Sequence, residues 1–253
     1  MGLSLCVYKI NSDLKLLLNS TNKTIELTSA KPKQKEMAAF GGGNKLPQAL
    51  TKIKAVEVKE DFALFKIYQE SNTIKERIKV YKWDYLEEGE ERPAEENSIV
   101  TDKGYQKIRN FRAMLDIKKK LLFVFTKKYD AEVLVQRLRN NEDIKIENYY
   151  LDLEKIDLIP EIVDEWGAWL DDKGEFIKKA YFSTQVQKYT KGEEEFVTTY
   201  CVTYNHSDLE IDLIISREGR ISSNNRSVTN RALVKIFENI KERIESKEMP
   251  NID

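Results

Sequence analysis

The sequence predicts an α+β protein built from mostly antiparallel sheets, with one helix near residues 130–139 and a C-terminal helix near 227–246. Two observations lead to this prediction. Segments in which apolar and polar residues alternate, the period of a half-buried strand, recur along the chain between short polar turns. Apolar residues at helical spacing occur late in each half, so that strands come first and a helix closes each half.

The composition limits the classes of protein that remain open. Of 253 residues, 41% are hydrophobic and 34% are charged, which is enough apolar surface for a sizeable core and unlike a disordered chain. One histidine, His206, and two distant cysteines, Cys6 and Cys201, cannot supply a tetrahedral zinc site. The sequence has no glycine-rich dinucleotide or phosphate-binding fingerprint, so no cofactor is expected. Hydrolysis by carboxylates with a hard metal is the one reaction class that this inventory permits.

The first third of the chain is rich in strand patterns. Five segments are expected to be strands: 3–10, 24–28, 54–59, 62–69 and 74–83. Turn-prone pairs, Glu60-Asp61 and Ser71-Asn72, separate the last three and predict an antiparallel meander. Cys6 and, later in the chain, Cys201 lie in apolar strand patterns, which predicts buried thiols in a reducing compartment.

An acidic segment at 84–102, with eight acids and one arginine, is the best candidate for a boundary. We therefore expect an N-terminal β-rich domain at 1–83, an acidic loop or linker at 84–102 and a C-terminal α+β domain at 103–253. In the C-terminal part the expected strands are 108–115, 121–125, 144–151, 165–170, 176–183, 195–204 and 209–216. A short helix is also expected over 153–163, broken at Pro160.

The C-terminal helix has the clearest pattern. Its apolar stripe consists of Val228, Leu233, Ile236, Phe237, Ile240 and Ile244. Either Ser227 or Thr229 is placed as its N-cap, since both side chains can accept a hydrogen bond from the first helical turn.

Charge is distributed in blocks, although the net charge is only −1. The segment 103–139 holds eleven basic and three acidic residues, whereas 142–175 holds three basic and twelve acidic residues. Such blocks predict separate positive and negative faces, and a positive face attracts polyanions. Aromatic residues interleave with the basic ones, as single-stranded nucleic-acid binding requires, although the same pattern is also typical of a core strand beside a solvated turn.

A second basic segment, Arg220–Arg231, ends a strand and opens the C-terminal helix. Unpaired N–H groups at a helix N-terminus favour an anion, and the alternative is an ordinary capped turn. The predicted nucleic-acid-binding residues from both segments are Lys107, Arg109, Arg112, Lys118, Lys119, Lys120, Lys127, Lys128, Arg220, Arg226 and Arg231.

Two further patterns carry alternatives. His206, Asp208, Glu210 and Asp212 share one face of a strand and suit a magnesium-dependent nuclease, or equally the solvent side of a half-exposed strand. Trp166 and Trp169 point to opposite faces, which is typical either of a protein interface or of a strand covered on both sides.

The function that the sequence favours is a non-enzymatic nucleic-acid-binding accessory protein, a subunit of a nucleic-acid-processing or defence complex. DNA and RNA both remain open as ligands, and a protein partner is expected. The longest apolar run, Leu121 to Phe125, is too short for a membrane span, so no membrane contact and a cytoplasmic location are expected. No catalytic or metal-binding residue is assigned. A metal-dependent nuclease and a purely structural interaction module are the alternatives.

Overall fold

The computed structural model describes residues 2–21, 23–28, 49–81, 98–141, 143–172, 175–181, 195–207 and 209–246. Within these residues twelve strands form one antiparallel sheet. The strands are β1 (Leu3–Ile10), β2 (Ile25–Thr28), β3 (Leu50–Val58), β4 (Phe62–Tyr81), β5 (Ser98–Asp116), β6 (Leu121–Phe125), β7 (Ile146–Asn148), β8 (Ile162–Asp172), β9 (Glu175–Tyr181), β10 (Glu195–His206), β11 (Leu209–Ser216) and β12 (Arg220–Ser223). The helices are α1 (Lys15–Leu18), α2 (Lys128–Arg139) and α3 (Asn230–Glu245), with 3₁₀ turns at Asn19–Thr21 and Leu153–Leu158.

Strand β1 lies in the middle of the sheet. The order is β2-β3-β4-β5-β6-β1-β12-β11-β10-β8-β9, and β7 pairs with β1 beside β12. Residues 6–9 of β1 pair with β6 on one side, while 3–6 pair with β12 and 8–10 pair with β7 on the other. Strands β6 and β12 both run antiparallel to β1, so each enters its following helix from the same end of the sheet.

The apolar residues form two cores, one on each face of the sheet. Leu5 and Val7 of β1 belong to the core beneath α3, which we call the α3 core and which also contains Phe123 and Phe237. Cys6, Tyr8 and Ile10 of β1 belong to the core beneath α2, called the α2 core. Successive side chains of a strand point to opposite faces, so β1 and β6 supply both cores at once.

Helices α2 and α3 therefore cover different halves of the sheet, on opposite faces. The α3 core draws on β8, β10, β11 and β12, whereas the α2 core draws on β2 to β5. In the part of the chain that the structure describes, β3 and β4 remain open on the α3 face, and β5 contacts the α3 core there through Met114. Strands β8 and β10 to β12 remain open on the α2 face within the same residues.

The C-terminal helix follows the sequence prediction closely. Helix α3 spans Asn230–Glu245, and its buried residues include Leu233, Ile236, Phe237, Ile240 and Ile244. Thr229 is its N-cap, because the Thr229 hydroxyl accepts a hydrogen bond from the Ala232 N–H at 3.1 Å. The helix predicted at 130–139 is also confirmed and begins at Lys128.

The prediction of a turn at Ser71-Asn72 is wrong. Strand β4 continues from Phe62 to Tyr81, and Ser71 pairs directly with Lys107 of β5. Two polar residues resemble a turn in the sequence, but the long partner strand supplies backbone hydrogen bonds across them. Strand β5 begins at Ser98, so residues 98–102 of the expected acidic loop pair with β4, and 82–97 lie outside the described residues. The division into two domains stays a prediction.

Two other predictions need correction. The strand expected at 144–151 is only Ile146–Asn148, and the helix expected at 153–163 is a 3₁₀ turn that ends at Leu158, before Pro160. Mostly antiparallel sheet is confirmed. The sheet is so large that the architecture is sheet-dominated rather than a balanced α+β fold.

We expect Phe237→Ala to lower the free energy of unfolding by about 3–5 kcal/mol, because it opens a cavity in the α3 core. Phe237 is fully buried, and its ring makes edge-to-face contacts with the rings of Phe123 and Tyr149 at centroid distances of 5.9 and 5.3 Å. Urea unfolding measures the loss. Phe237→Leu should cost less, and a loss for Phe237→Ala no larger than that of exposed Lys235→Ala would contradict the packing described.

Candidate nucleic-acid interface

The eleven predicted basic residues do not form one surface. Lys107 and Arg109 lie on the α2 face, where both approach the buried carboxylate of Asp130. The Lys107 Nζ to Asp130 Oδ1 distance is 3.6 Å, and the Arg109 Nε to Asp130 Oδ2 distance is 3.7 Å. Asp130 is only 2% exposed, so these two cations compensate a carboxylate that burial would otherwise destabilise.

The turn between β5 and β6 holds Lys118, Lys119 and Lys120. Lys118 forms an ion pair with Asp61 of the β3–β4 turn, and Lys119 contacts Glu238 of α3 at 2.7 Å. Hydrogen bonds to these carboxylates raise the pKa of each of the two lysines above its ordinary value. Lys120 has a φ of 54°, the left-handed conformation that a tight turn requires. Lys118 and Lys119 therefore connect neighbouring elements as well as carrying charge.

Three of the predicted residues lie near helix N-termini and are exposed: Lys127, Arg226 and Arg231. Lys127 precedes α2, and the other two lie in and after the loop between β12 and α3. In that loop the Asn225 side-chain oxygen accepts hydrogen bonds from the N–H and hydroxyl of Ser227. Asn225 and Ser227 therefore bind each other within this loop.

Arg112 lies on the opposite face, on the open part of the α3 face. It is directly opposite Lys66 of β4, which in turn is directly opposite Lys54 of β3. Directly opposite residues on one face have Cβ atoms about 4.5–5.5 Å apart, so three cations form a line across three strands. We call Lys54, Lys66 and Arg112 the basic row. All three are exposed, and none forms an ion pair with another residue that the structure describes.

Aromatic and amide side chains flank the basic row. The next register position holds Lys52, Tyr68 and Asn110, and Phe125 of β6 lies opposite Arg112 on the other side. Lys52 is held by Glu26, with 3.0 Å between its Nζ and Oε1 of the carboxylate. The Tyr68 hydroxyl donates to Glu70 Oε1 at 2.7 Å. This face thus combines ring surfaces with three cations that form no ion pair with a described residue.

The basic row has an electrostatic cost that no ion pair with a described residue offsets. Like charges directly opposite each other on adjacent strands are destabilising, and here one central lysine has a cation on each side. Sequence reasoning found Arg112 but missed Lys54 and Lys66, because the three residues belong to different strands. In β3 and β4 charged residues alternate with apolar ones, which indicates that the lysines face away from the core. Only the strand register shows that they lie opposite each other.

Lys128 and Arg220 are the two predicted residues that the structure brings together at a pocket. This pocket, on the open part of the α2 face, has a volume of about 340 Å³. The described residues that line it are Lys128, Trp169, Thr198, Thr199, Ile214, Ser216 and Arg220. Burial acts to lower the pKa of Lys128, but the hydrogen bond to Glu218 and the charges of Glu218 and Glu132 outweigh it and raise that pKa. Lys128 is therefore a stable cation.

The prediction that His206, Glu210 and Asp212 share one strand is wrong, because a hairpin turn separates His206 at the end of β10 from Glu210 and Asp212 in β11. Asp208 lies outside the described residues. Asp212 accepts a hydrogen bond from the Thr203 hydroxyl at 3.0 Å across the β10–β11 hairpin. No group of three His, Cys, Asp or Glu side chains positioned to hold a metal occurs among the residues that are described. The nuclease alternative stays an untested prediction.

Comparisons with family models and with curated sequences assign no family to this chain. The sequence matches no protein-family model. It also matches no curated protein sequence. Among the described helices, none combines the length and the apolar character that crossing a bilayer requires.

Both cysteines are buried with free thiols, as the strand patterns predict. Cys6 of β1 lies directly opposite Arg220 of β12, and its Sγ donates weakly to the Thr126 carbonyl at 3.8 Å. Burial raises the pKa of each thiol from 9.0 to about 12, and the positive charge of Arg220 offsets this only in part at Cys6. Both thiols are therefore protonated at neutral pH.

We expect both native thiols to react slowly with a thiol reagent at pH 8 and quickly after unfolding, because the thiolate is the reactive form. The raised pKa values also make the folded state bind protons that the unfolded chain releases. Their contribution to stability is complete below pH 9 and is lost as pH rises from 9 towards 12. Urea unfolding of wild type and Cys201→Val across this range should show a smaller loss in the variant. Fast native-state labelling of both thiols would contradict their burial.

Proposed function

We propose that this protein is a non-enzymatic, cytoplasmic nucleic-acid-binding accessory protein that uses the basic row to contact the phosphates of a single strand. The observation that carries the proposal is the alignment of Lys54, Lys66 and Arg112 across an open sheet face. Three adjacent cations that have no ion-pair partner among the described residues would be stabilised by a line of phosphates, which reduces their mutual repulsion.

Single-stranded nucleic acid suits this surface better than a duplex. Proteins bind single strands with a basic track for the backbone and aromatic side chains for the bases. The ring of Tyr68 lies in the register position next to the basic row, and Phe125 flanks Arg112. Bases unstacked from one another can lie against such a sheet face, whereas a duplex presents its bases inside grooves that a flat face does not enter.

The other predicted cations support the proposal less strongly. Lys118, Lys119 and Lys128 each have a carboxylate partner, and Lys107 and Arg109 share Asp130. A phosphate at these positions would compete with an existing ion pair, so it would gain less free energy. The basic row has no such competitor among the described residues.

A protein partner is part of the proposal, as a subunit of a nucleic-acid-processing or defence complex. Large apolar side chains are exposed in the second half of the chain at Tyr150, Val163 and Leu209. Burial of such side chains against a partner would be favourable, since apolar surface removed from water stabilises association.

We expect Lys66→Glu to weaken single-strand binding about tenfold or more, because it removes a phosphate contact and places a repelling charge at the centre of the basic row. The same substitution turns two like-charge cross-strand pairs into opposite-charge pairs, so the melting temperature should stay equal or rise. Filter binding with single- and double-stranded DNA and RNA at low salt, with thermal melts of both proteins, measures the two effects.

The matched control is Lys235→Glu, which makes the same charge change at an exposed position on α3. This variant should bind nearly as well as wild type. Equal losses in both variants would assign binding to net charge alone, and no loss in Lys66→Glu would remove the basic row from the interface.

Replacing Lys54, Lys66 and Arg112 together by Gln should lower the slope of log affinity against log salt by about 2, since each phosphate contact to a single strand contributes about 0.7. The slope is obtained from binding constants at several salt concentrations. An unchanged slope would show that the three cations release no counterions on binding and would contradict the proposal.

A further inference from the structure

The pocket on the α2 face is a second concave site, separate from the basic row. It lies where the start of α2 approaches strands β8, β10, β11 and β12, each of which contributes lining residues. Its volume of about 340 Å³ falls in the range of small-molecule sites. The basic row is on the opposite face of the other half of the sheet, so the two sites are independent.

The charges at the pocket favour an anion. Lys128 and Arg220 come from different elements and converge on it, and none of the described lining residues is acidic. Glu218 pairs with Lys128 but is not among the described residues that line this pocket, so a phosphate there would share the three donors of the Lys128 ammonium with Glu218. An arginine and a lysine with nearby hydroxyls form a typical set of donors for phosphate, and Ser216 and Thr199 supply hydroxyls here.

The remaining lining is aromatic and apolar. Trp169 of β8 and Ile214 of β11 both contribute to the wall of the pocket. The carbonyl of Trp169 accepts a hydrogen bond from the Thr198 hydroxyl at 3.1 Å, which connects β8 to β10 at the pocket. An indole ring offers a surface on which a planar base stacks, independent of base identity.

We infer that this pocket binds a phosphorylated nucleotide, with the phosphate at Lys128 and Arg220 and the base against Trp169. The two cations suit the phosphate of this ligand, and the aromatic wall suits its base. A free nucleotide and the phosphorylated end of a strand share this chemistry. The inference does not depend on the proposed function of the basic row.

Isothermal titration of the full chain with adenosine monophosphate, uridine monophosphate, adenosine and inorganic phosphate tests the inference. Both nucleotides should bind, and adenosine and phosphate should each bind about tenfold more weakly or worse, because each lacks one of the two contacts. Arg220→Gln and Trp169→Leu should each weaken nucleotide binding about tenfold. Lys235→Gln, an exposed change on α3, should leave it unchanged.

Thr199→Glu provides a second variant, since Arg220 also donates to the Ser4 hydroxyl at 3.4 Å and its loss could disturb the fold. The new carboxylate would repel phosphate inside the pocket while the thermal melt reports folding. Nucleotide affinity that is unchanged in folded Thr199→Glu, or absent from the wild type, would overturn the inference.

The source of the ligand is distinguished by displacement of a bound fluorescent nucleotide. Trinucleotides with a 5′-phosphate and with a 5′-hydroxyl are compared. Displacement only by the phosphorylated trinucleotide supports binding of a strand end, and displacement by mononucleotide but neither trinucleotide supports binding of a free nucleotide. Equal displacement by the 5′-hydroxyl form would overturn the assignment of a terminal phosphate to Lys128 and Arg220.

Discussion

Burial of β1 on both faces is the constraint on which the rest of the structure depends. Leu5 and Val7 are fully buried in the α3 core, and Cys6 and Tyr8 are buried in the α2 core. Because side chains of a strand alternate between faces, a strand that is apolar at successive positions needs cover on both sides. Helix α3 covers one face of β1, and helix α2 covers the other. This arrangement makes the centre of the sheet a three-layered structure, while each flanking half has one face that no described helix covers.

Strand β1 joins the two halves of the sheet, and along one of its edges it pairs with both β12 and β7. Strands β12 and β7 share one edge of β1, and Gly219 lies where they meet. The Val7 N–H donates to the Gly219 carbonyl, and the Val7 carbonyl accepts from the Tyr149 N–H. Gly219 has a φ of 67°, and a Cβ there would lie 2.6 Å from the Tyr149 carbonyl oxygen. Only glycine combines this conformation with this close approach, so any other residue at position 219 would strain the junction.

The open faces that result carry the two candidate sites. On one, three cations face one another across strands at a cost in stability. On the other, Lys128 and Arg220 meet beside Trp169 in a pocket. Four other predicted cations, Lys107, Arg109, Lys118 and Lys119, are paired with carboxylates of neighbouring elements, and Lys128 is also paired with Glu218. The basic residues look equivalent in the sequence, but the fold pairs some of them with carboxylates and places others at the two candidate sites.

The sequence by itself determined the local elements. Alternation located β11, and apolar runs bounded by polar residues located β1 and β6, each with its observed bounds. The apolar stripe with Thr229 located α3 and its cap, because these signals depend only on neighbouring residues. Tertiary structure alone decided that β4 continues through Ser71, since its partner β5 supplies the hydrogen bonds. It also decided the composition of the candidate sites. Lys54, Lys66 and Arg112 become neighbours only through strand register, which depends on pairing between segments far apart in the chain.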